Sequence, residues 1–205
     1  ICHGASEHSG RYDRFARALN AAGYSAAALD HRGHGLTAPS SGSGVTGPGG
    51  GDAVIEDVHE LRGWVESSPS VPTFLFGHSL GSLIGFAYLT RHSAGLTGAV
   101  LCGFPADPAN TGDLAALLEG AIAGGMGGEV FDALSAYNEP FEPARTGFDW
   151  LSRDPDEVDR YIADPMCGDD HPLTYGYVAD LFAVVAPAID ASSAISCTVL
   201  EIAED

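Results

Sequence analysis

Residues 71–89 decide the fold of this chain and read Val-Pro-Thr-Phe-Leu-Phe-Gly-His-Ser-Leu-Gly-Ser-Leu-Ile-Gly-Phe-Ala-Tyr-Leu. The apolar run between Pro72 and Gly77 is typical of a buried parallel strand. The apolar residues after Gly81 recur at helical spacing, which predicts a helix. We therefore expect Ser79 to lie on a tight turn between a strand and a helix.

The turn at Ser79 matches the Gly-x-Ser-x-Gly pattern of a nucleophile elbow, in which a strained backbone points a serine hydroxyl out of the carboxyl edge of a sheet. Gly77 and Gly81 fit this geometry, because a side chain at either position would collide where the helix folds back against its strand. The pentapeptide by itself is weak, since a chain with 27 Gly holds about 0.3 such matches by chance. The flanking strand and helix favour a catalytic serine over an ordinary glycine-rich turn.

A second loop is expected at the same edge of the sheet. Ile1-Cys2 reads as the end of a strand, and the loop His3–Tyr12 follows it. A loop that leaves the sheet beside the elbow can direct a backbone amide at a reacting carbonyl. We expect the amides of Ala5 and Leu80 to form an oxyanion hole, because two converging N–H groups stabilise the charge of a tetrahedral intermediate.

The histidines of these loops are expected to be structural. For His3 and His8 the alternatives are a catalytic base or a metal ligand, but no third ligand stands at a metal-binding spacing. In the next loop, His31, Arg32 and His34 are also expected to shape the backbone, with a place in the active site as the alternative. The sequence therefore predicts no metal site and no cofactor.

Composition limits the classes of function. The chain has 205 residues, of which 45% are hydrophobic and 18% charged, which suits one domain with a sizeable core. Its 28 acidic and 9 basic side chains give a net charge of −19, which disfavours nucleic acid and anionic membrane surfaces. Because no run of eighteen apolar residues and no export leader is found, neither a membrane span nor secretion is expected.

The four cysteines form no C-x-x-C pair. Three of them, Cys2, Cys102 and Cys197, lie in apolar stretches that resemble strands. We expect buried free thiols in a reducing compartment, and hence a cytoplasmic location, although the true N-terminus is not visible in a chain that begins with Ile1.

The rest of the first half alternates helices with strands, as an all-parallel sheet with crossover helices requires. The glycine-rich segment Pro39–Gly51 is expected to be a flexible loop. Asp52 is the expected N-cap of the helix that follows, and the helix is expected to bury Val54, Ile55, Val58, Leu61, Trp64 and Val65. Further helices are expected at 11–22 and after the elbow, and further strands at Tyr24–Leu29, Thr97–Gly103 and Cys197–Ala203.

The alternation stops after Gly103, and a structureless loop of the length that follows is implausible. We predict an α/β fold with a parallel-sheet core in residues 1–103, a helical cap inserted at 104–196 and the start of the next core strand at 197–205. Two apolar faces in the cap either pack it onto the sheet or line an acyl-binding tunnel. They consist of Leu114, Leu117, Leu118, Ala121 and Ile122, and of Val130, Phe131 and Leu134.

Four phrases of the sequence form a recognisable set. They are His3–Tyr12, Asp30–Gly35, Gly77–Gly81 and a cap phrase from Phe148 to Tyr161 that ends in Asp164–Gly168. Together they resemble the monoacylglycerol lipase or lysophospholipase group of the α/β-hydrolase superfamily, a group often described as serine aminopeptidase S33-type. The resemblance implies an α/β-hydrolase fold and a Ser-Asp-His triad with Ser79 as nucleophile. It also implies an oxyanion hole from the amides of Ala5 and Leu80.

The chain departs from that family pattern where the acid and base of the triad belong. In this fold the acid follows the strand after the cap, and the histidine follows the last strand. Asp205 lies close to the position of the acid, which is therefore Asp205 or a residue beyond it. After Ser79 the only histidines are His92 and His171, and neither occupies the position of the base. We expect a fragment, truncated at both ends and inactive by itself. A smaller departure is Ser82, which replaces a glycine and should be tolerated.

For the parent protein, the resemblance implies a serine ester hydrolase that cleaves lipids such as monoacylglycerol or lysophospholipid through an acyl-enzyme on Ser79. Alternatives are a peptidase, thioesterase or general carboxylesterase of the same fold, or a non-catalytic hydrolase-fold binding protein. The implied partner is a small-molecule ester or lipid, with no nucleic acid, metal or organic cofactor. Protein partners and oligomeric state cannot be read from the sequence.

Overall fold

Three parallel strands form the sheet that carries the elbow. The computed structural model describes residues 1–39, 42–66, 71–105, 111–132 and 134–203. The strands are β1 (Phe74–His78), β2 (Gly98–Cys102) and β3 (Thr198–Ile202). The α-helices are α1 (Asp13–Ala21), α2 (Gly50–Val65), α3 (Leu80–His92), α4 (Thr111–Ala123), α5 (Pro155–Ala163) and α6 (Tyr175–Asp190). Short 3₁₀ helices lie at Ser9–Tyr12, Gly35–Thr37, Ser135–Phe141, Asp149–Leu151, Gly168–Asp170 and Ser192–Ala194.

The sheet brings two chain segments to one edge. β1 pairs with β2, and β2 pairs with β3, all in parallel. Cys2 joins β1 on its other side, where the Cys2 amide donates to the Phe76 carbonyl (2.8 Å) and its carbonyl accepts the His78 amide (3.1 Å). Because parallel segments end at the same edge, the loop after Cys2 and the turn at Ser79 are neighbours.

Helices α2, α3 and α6 form the core with the sheet. α3 packs against β1, β2, α2 and α6, and this arrangement buries almost its whole length. α6 contacts α4 as well as α2 and α3, so it joins the predicted cap segment to the core helices. The division of the chain at residues 103 and 196 stays a prediction. The side chains of Ile84, Leu89 and Val185 are fully buried at the centre of this layer.

The start of α2 differs from its prediction. The helix begins at Gly50, and the preceding Gly49 has the left-handed φ of 91° that an N-terminal turn of this shape needs. Asp52 lies in the first helical turn instead of at the N-cap, and it pairs with Arg91 of α3 (2.7 Å). A carboxylate in the first turn still interacts favourably with the helix dipole.

The end of α2 is also different. Val54, Ile55 and Val58 are buried, as predicted. Trp64 is 73% exposed and Val65 is exposed too, so the prediction of a continuous buried face is wrong for them. The buried face of α2 ends after Val58, and the last two turns lie nearer the surface.

Two other predicted elements are absent from the described residues. Tyr24–Leu29 lies outside the three strands, although the Ile1 ammonium donates to the Ala27 carbonyl (2.8 Å). The segment beside it is Ile1–Cys2, and two residues are too few to form a ladder of β-sheet hydrogen bonds. The apolar face at Val130–Leu134 belongs to no helix. Val130 instead forms an antiparallel bridge with Thr174.

The glycine-rich loop before α2 is packed rather than free. The Gly44 amide donates to the Gly33 carbonyl (2.9 Å), and the Gly44 carbonyl accepts the Thr174 hydroxyl (2.6 Å). The Thr46 hydroxyl donates to Asp180 of α6. Glycine is needed because a Cβ at Gly44 would lie 2.2 Å from a neighbouring carbonyl oxygen. These contacts contradict the prediction of a flexible loop at Gly44 and Thr46, and Gly50 and Gly51 belong to α2; residues 40 and 41 lie outside the described part.

No disulfide joins any of the four cysteines, as predicted. Cys2 and Cys167 are buried, whereas Cys102 in β2 and Cys197 just before β3 are half-buried. Among the described residues, no helix is both long enough and apolar enough to cross a bilayer.

Two glycines of α2 provide a matched test of helix packing. A Cβ on Gly51 would lie 2.0 Å from the Asp180 carbonyl oxygen of α6, whereas a Cβ on Gly63 would meet nothing within 4 Å. We expect Gly51→Ala to lower the free energy of unfolding by about 1–3 kcal/mol, because the two helices must separate. Gly63→Ala is expected to raise it by about 0.5–1 kcal/mol through helix propensity. Urea unfolding measures both changes, and equal effects of the two substitutions would contradict this account.

Candidate active site

Ser79 lies on the turn between β1 and α3, and its backbone is strained. Its φ of 51° and ψ of −118° define a backbone conformation that residues with side chains rarely adopt. The Ser79 amide donates to the Cys102 carbonyl (2.8 Å), and the Ser79 carbonyl accepts the Ser82 hydroxyl (2.5 Å). Ser82 fits where the resembled family has glycine because its hydroxyl bonds within the turn. The half-buried Ser79 hydroxyl has no hydrogen-bond partner among the described residues.

Gly77 and Gly81 flank the serine where backbones come closest. A Cβ on Gly77 would lie 2.4 Å from the Gly81 carbonyl oxygen, because α3 folds back against its own strand. A Cβ on Gly81 would lie 2.1 Å from the Cys2 carbonyl oxygen and 2.6 Å from that of His3. The obstacle at Gly81 is thus the neighbouring segment, whereas the sequence suggested the strand of the elbow. Neither position accepts a side chain unless the backbone moves.

The loop after Cys2 lies against the first turn of α3. The contact between Gly81 and the His3 carbonyl brings Ala5 into the neighbourhood of the elbow. Within the described residues, the amides of Ala5 and Leu80 donate to no protein acceptor. Because an unpaired amide in a partly buried segment costs free energy, such groups are uncommon and are suited to receive an oxygen from a ligand. Their role as an oxyanion hole stays a prediction.

Glu7 is a buried carboxylate in this loop that sequence reasoning missed. Its Oε1 accepts the Gly4 amide (2.6 Å) and the Tyr12 hydroxyl (2.7 Å), and its Oε2 accepts Arg11 Nη1 (2.9 Å). Burial alone would raise the pKa of Glu7, but the neighbouring His78 and Arg11, with the bond from the tyrosine, outweigh burial and lower the pKa to about 2. Glu7 is therefore charged at neutral pH. The only sequence signal for it is the i,i+4 spacing to Arg11.

Tyr12 connects Glu7 to His78, the residue directly before Ser79. The Tyr12 hydroxyl oxygen lies 2.7 Å from Glu7 Oε1 and 2.9 Å from His78 Nδ1. Burial and the charge of Glu7 raise the pKa of Tyr12 above its usual range, so the phenol keeps its proton. That proton is donated to the carboxylate, and His78 Nδ1–H donates in turn to the phenol oxygen. These bonds link the elbow to the loop.

Residues of the cap segment hold the same loop at Ser6. The Ser6 carbonyl accepts the Tyr161 hydroxyl (2.9 Å) and the Gly168 amide (3.0 Å). Ser6 has a φ of 52°, a strained value for a residue with a side chain. The Arg11 guanidinium lies over the Tyr161 ring, 4.7 Å from its centroid. The loop is thus fixed between the elbow and the segment that carries Tyr161 and Gly168.

His8, Asp164 and Cys167 are the one group in the described residues with donor atoms close enough for a metal ion, all within 4.8 Å. His8 Nδ1 accepts the Gly10 amide (3.2 Å), so the ring proton is on Nε2, which donates to Asp164 Oδ2 (3.0 Å). A metal-ligating imidazole instead donates a proton from the nitrogen that faces away from the metal. The arrangement therefore favours a hydrogen bond between loop and cap, in keeping with the structural role expected for His8.

His3, His31 and His34 are buried against one another. His3 Nδ1 donates to the Gly4 carbonyl (2.7 Å), and His3 Nε2 accepts the His31 amide (3.0 Å), so neither nitrogen of His3 is available as a base. The ring centroids of His31 and His34 lie 4.3 and 5.3 Å from that of His3. Burial lowers the pKa of all three, to about 4 for His34. Arg32 points elsewhere and pairs with a carboxylate of α2 (2.6 Å).

Of the remaining candidates for the acid and base, His92 lies apart from Ser79. His92 ends α3, and twelve helical steps place it about 18 Å from the elbow. His171 Nε2 donates to the Pro165 carbonyl (2.8 Å). Asp205 lies outside the described residues. The acid and base of the triad therefore stay predictions.

The apolar faces predicted for the cap are only partly buried. Leu118 is buried, but Leu117 is 57% exposed, and Phe131 packs its ring against Tyr175. Two cavities of about 200 and 270 Å³ are lined by other parts of the chain, between residues 1 and 28 and between residues 59 and 94. The acyl-binding tunnel stays a prediction.

The sequence is similar to known proteins over most of its length. A protein-family model described as "Serine aminopeptidase, S33" matches residues 1–202. A monoacylglycerol lipase of Mycolicibacterium smegmatis is 36% identical over 180 residues, which cover 81% of this chain and 54% of the relative. The chain therefore spans about half the length of that curated relative.

Solved structures share the architecture. A thermostable carboxyl esterase from Bacillus coagulans, solved in complex with glycerol, matches with a TM-score of 0.81 and 29% identity over 98% of this chain and 79% of the esterase. A monoacylglycerol lipase of Paleococcus ferrophilus matches with a TM-score of 0.68 and 25% identity over 98% and 70% of the two chains. These matches confirm the predicted α/β-hydrolase fold class.

The three buried histidines predict a loss of stability on mild acidification. Because their pKa values are lowered in the folded protein, the unfolded chain binds more protons below pH 6.5, so stability falls as the pH falls. Between pH 7 and 5.5 we expect His34 to contribute a loss of about 1 kcal/mol, and His3 and His31 to add losses in the same direction. Urea unfolding at the two pH values measures the change. His34→Gln should reduce this dependence by about 1 kcal/mol, and Ser25→Ala, which removes an exposed group that does not titrate, should leave it unchanged. Equal dependence in both variants would contradict the assignment.

Proposed function

Because the chain belongs to the serine aminopeptidase S33 family, we propose that the protein is a serine ester hydrolase that forms an acyl-enzyme on Ser79. The observation that supports this most directly is the backbone at Ser79, whose positive φ holds the hydroxyl at the end of a strand. Strain of this kind persists where the surrounding structure over-determines it, and it concentrates at functional sites.

The proposed reaction has two steps. The Ser79 hydroxyl attacks an ester carbonyl, a base removes its proton, and the amides of Ala5 and Leu80 stabilise the oxyanion. The ester C–O bond breaks, the alcohol leaves with a proton returned from the base, and the acyl group remains on Ser79. Water then attacks the acyl-enzyme and releases the acid. In the part of the chain that the structure describes, neither amide donates to a protein acceptor, which supports their part in this scheme.

We propose lipid esters such as monoacylglycerol or lysophospholipid as substrates, since one relative and one structural neighbour are named monoacylglycerol lipases. The similarity to a carboxyl esterase makes a short-chain ester the nearest alternative. Hydrolysis rates on monoacylglycerols, lysophospholipids, short acyl esters, thioesters and aminoacyl amides separate these classes. A preference for aminoacyl amides would favour a peptidase and overturn the lipid assignment.

We further propose that the acid and base lie C-terminal to Ile202, at Asp205 or beyond it, in the order that the fold requires. Residues 1–205 alone should then be inactive, because loss of a triad member costs about 10⁴-fold or more in rate. Hydrolysis by residues 1–205 at the rate of the full-length protein would overturn this.

Ser79→Ala in the full-length protein tests the nucleophile. We expect kcat to fall by about 10⁴-fold or more, and covalent labelling by a fluorophosphonate to disappear. The control is Ser25→Ala, which removes an exposed hydroxyl remote from the elbow and should preserve both signals. Folded protein that resists labelling at Ser79 would instead indicate a non-catalytic binding protein.

A further inference from the structure

Glu7 contacts the two segments that carry the proposed oxyanion hole. On the loop side, its Oε1 accepts the amide of Gly4, the residue directly before Ala5 (2.6 Å). On the elbow side, the same oxygen accepts the Tyr12 hydroxyl (2.7 Å), which in turn accepts from His78, next to Ser79 (2.9 Å). One oxygen atom thus connects the loop to the elbow.

The space around this oxygen is tight. A Cβ on Gly4 would lie 2.8 Å from Glu7 Oε1 and 3.3 Å from His78 Nδ1. The Gly4 backbone therefore lies directly against both side chains, and no water separates the loop from the carboxylate there. The Gly4 amide belongs to the His3–Gly4 peptide, so Glu7 restrains the peptide directly before the one that carries the Ala5 amide.

Both oxygens of Glu7 are occupied by groups of the protein. Oε1 accepts two donors, and Oε2 accepts Arg11 Nη1 (2.9 Å). A carboxylate is suited to this place because it only accepts, whereas the amide of Gln would direct a donor at either Arg11 or the Gly4 amide. Because its oxygens are used in this way, Glu7 acts through its neighbours and does not contact the reacting atoms.

We propose that Glu7 is a positioning residue, whose carboxylate fixes the Ala5 amide relative to the amide of Leu80 so that both face the developing oxyanion. This rests on the function proposed above. The hydrogen bonds of Glu7 set the position of amides that stabilise the transition state. Substitution of Glu7 should therefore lower kcat and leave KM nearly unchanged. Loss of one oxyanion donor costs about 10²–10³-fold, and misplacement of one should cost less.

The test uses the full-length protein with Glu7→Leu, Glu7→Gln and Tyr12→Phe, and with Glu66→Gln as a control. Glu66 is paired with Arg62 at the end of α2 (2.8 Å), remote from the loop. Active serines are titrated with a fluorophosphonate, so that kcat is expressed per reactive Ser79, and thermal unfolding is recorded for each variant. This normalisation separates positioning from a loss of folded protein.

We expect Glu7→Leu to lower kcat per reactive serine by about 10–100-fold, with KM within about threefold. Glu7→Gln should recover part of this loss, because its carbonyl oxygen can still accept the Gly4 amide. Tyr12→Phe should lower kcat by about threefold or more, and Glu66→Gln should match the wild type.

The proposal is overturned if kcat per reactive serine stays within twofold of wild type in Glu7→Leu. If Glu7→Leu does not fold, Glu7→Gln and Tyr12→Phe are the test, and unchanged kcat in both variants overturns the proposal. A change confined to KM also contradicts it, because it would place Glu7 in substrate binding. If Ser79→Ala abolishes hydrolysis but the Glu7 variants keep the wild-type rate, the proposed function stands and only the role of Glu7 is contradicted.

Discussion

The close contact of two backbones at Gly81 is the constraint on which the site depends. The carbonyl oxygens of Cys2 and His3 lie so near Gly81 that a Cβ there would stand 2.1 and 2.6 Å from them. This contact fixes the loop after Cys2 against the first turn of α3. It follows from the parallel sheet, because Cys2 and β1 end at the same edge and their continuations must share the space beyond it.

Strain at the site is maintained by bonds from several directions. Ser79 and Ser6 both have positive φ, and each is held by backbone partners in other segments. The Ser79 amide is bonded to β2, and the Ser6 carbonyl is bonded to Tyr161 and Gly168 of the cap segment. A conformation that costs of order 1–3 kcal/mol per residue can persist only when its surroundings determine it in this way.

The polar groups beside the elbow divide into charged and uncharged sets. Glu7 stays charged because hydrogen bonds and Arg11 compensate its burial. His3, His31 and His34 stay neutral because nothing comparable compensates theirs. Burial disfavours the charged form in both sets, and only Glu7 has neighbours that offset this cost. The loop thus carries a charged pair, Glu7 with Arg11, and the carboxylate of this pair accepts the Gly4 amide.

The sequence by itself determined the strand, turn and helix around Ser79, the parallel direction of the strands, and membership of the S33 family. Local patterns carry this information, because an apolar run, two glycines and a helical stripe act over a few residues. Helix ends such as Gly50, the exposure of Trp64 and the packing of the glycine-rich loop were decided by neighbours far along the chain. Glu7 was hidden for a different reason. Its three hydrogen-bond partners, Gly4, Arg11 and Tyr12, lie within five residues of it, but its burial and its link to His78 through Tyr12 exist only once the loop packs against the elbow, and no periodicity in the sequence records that contact.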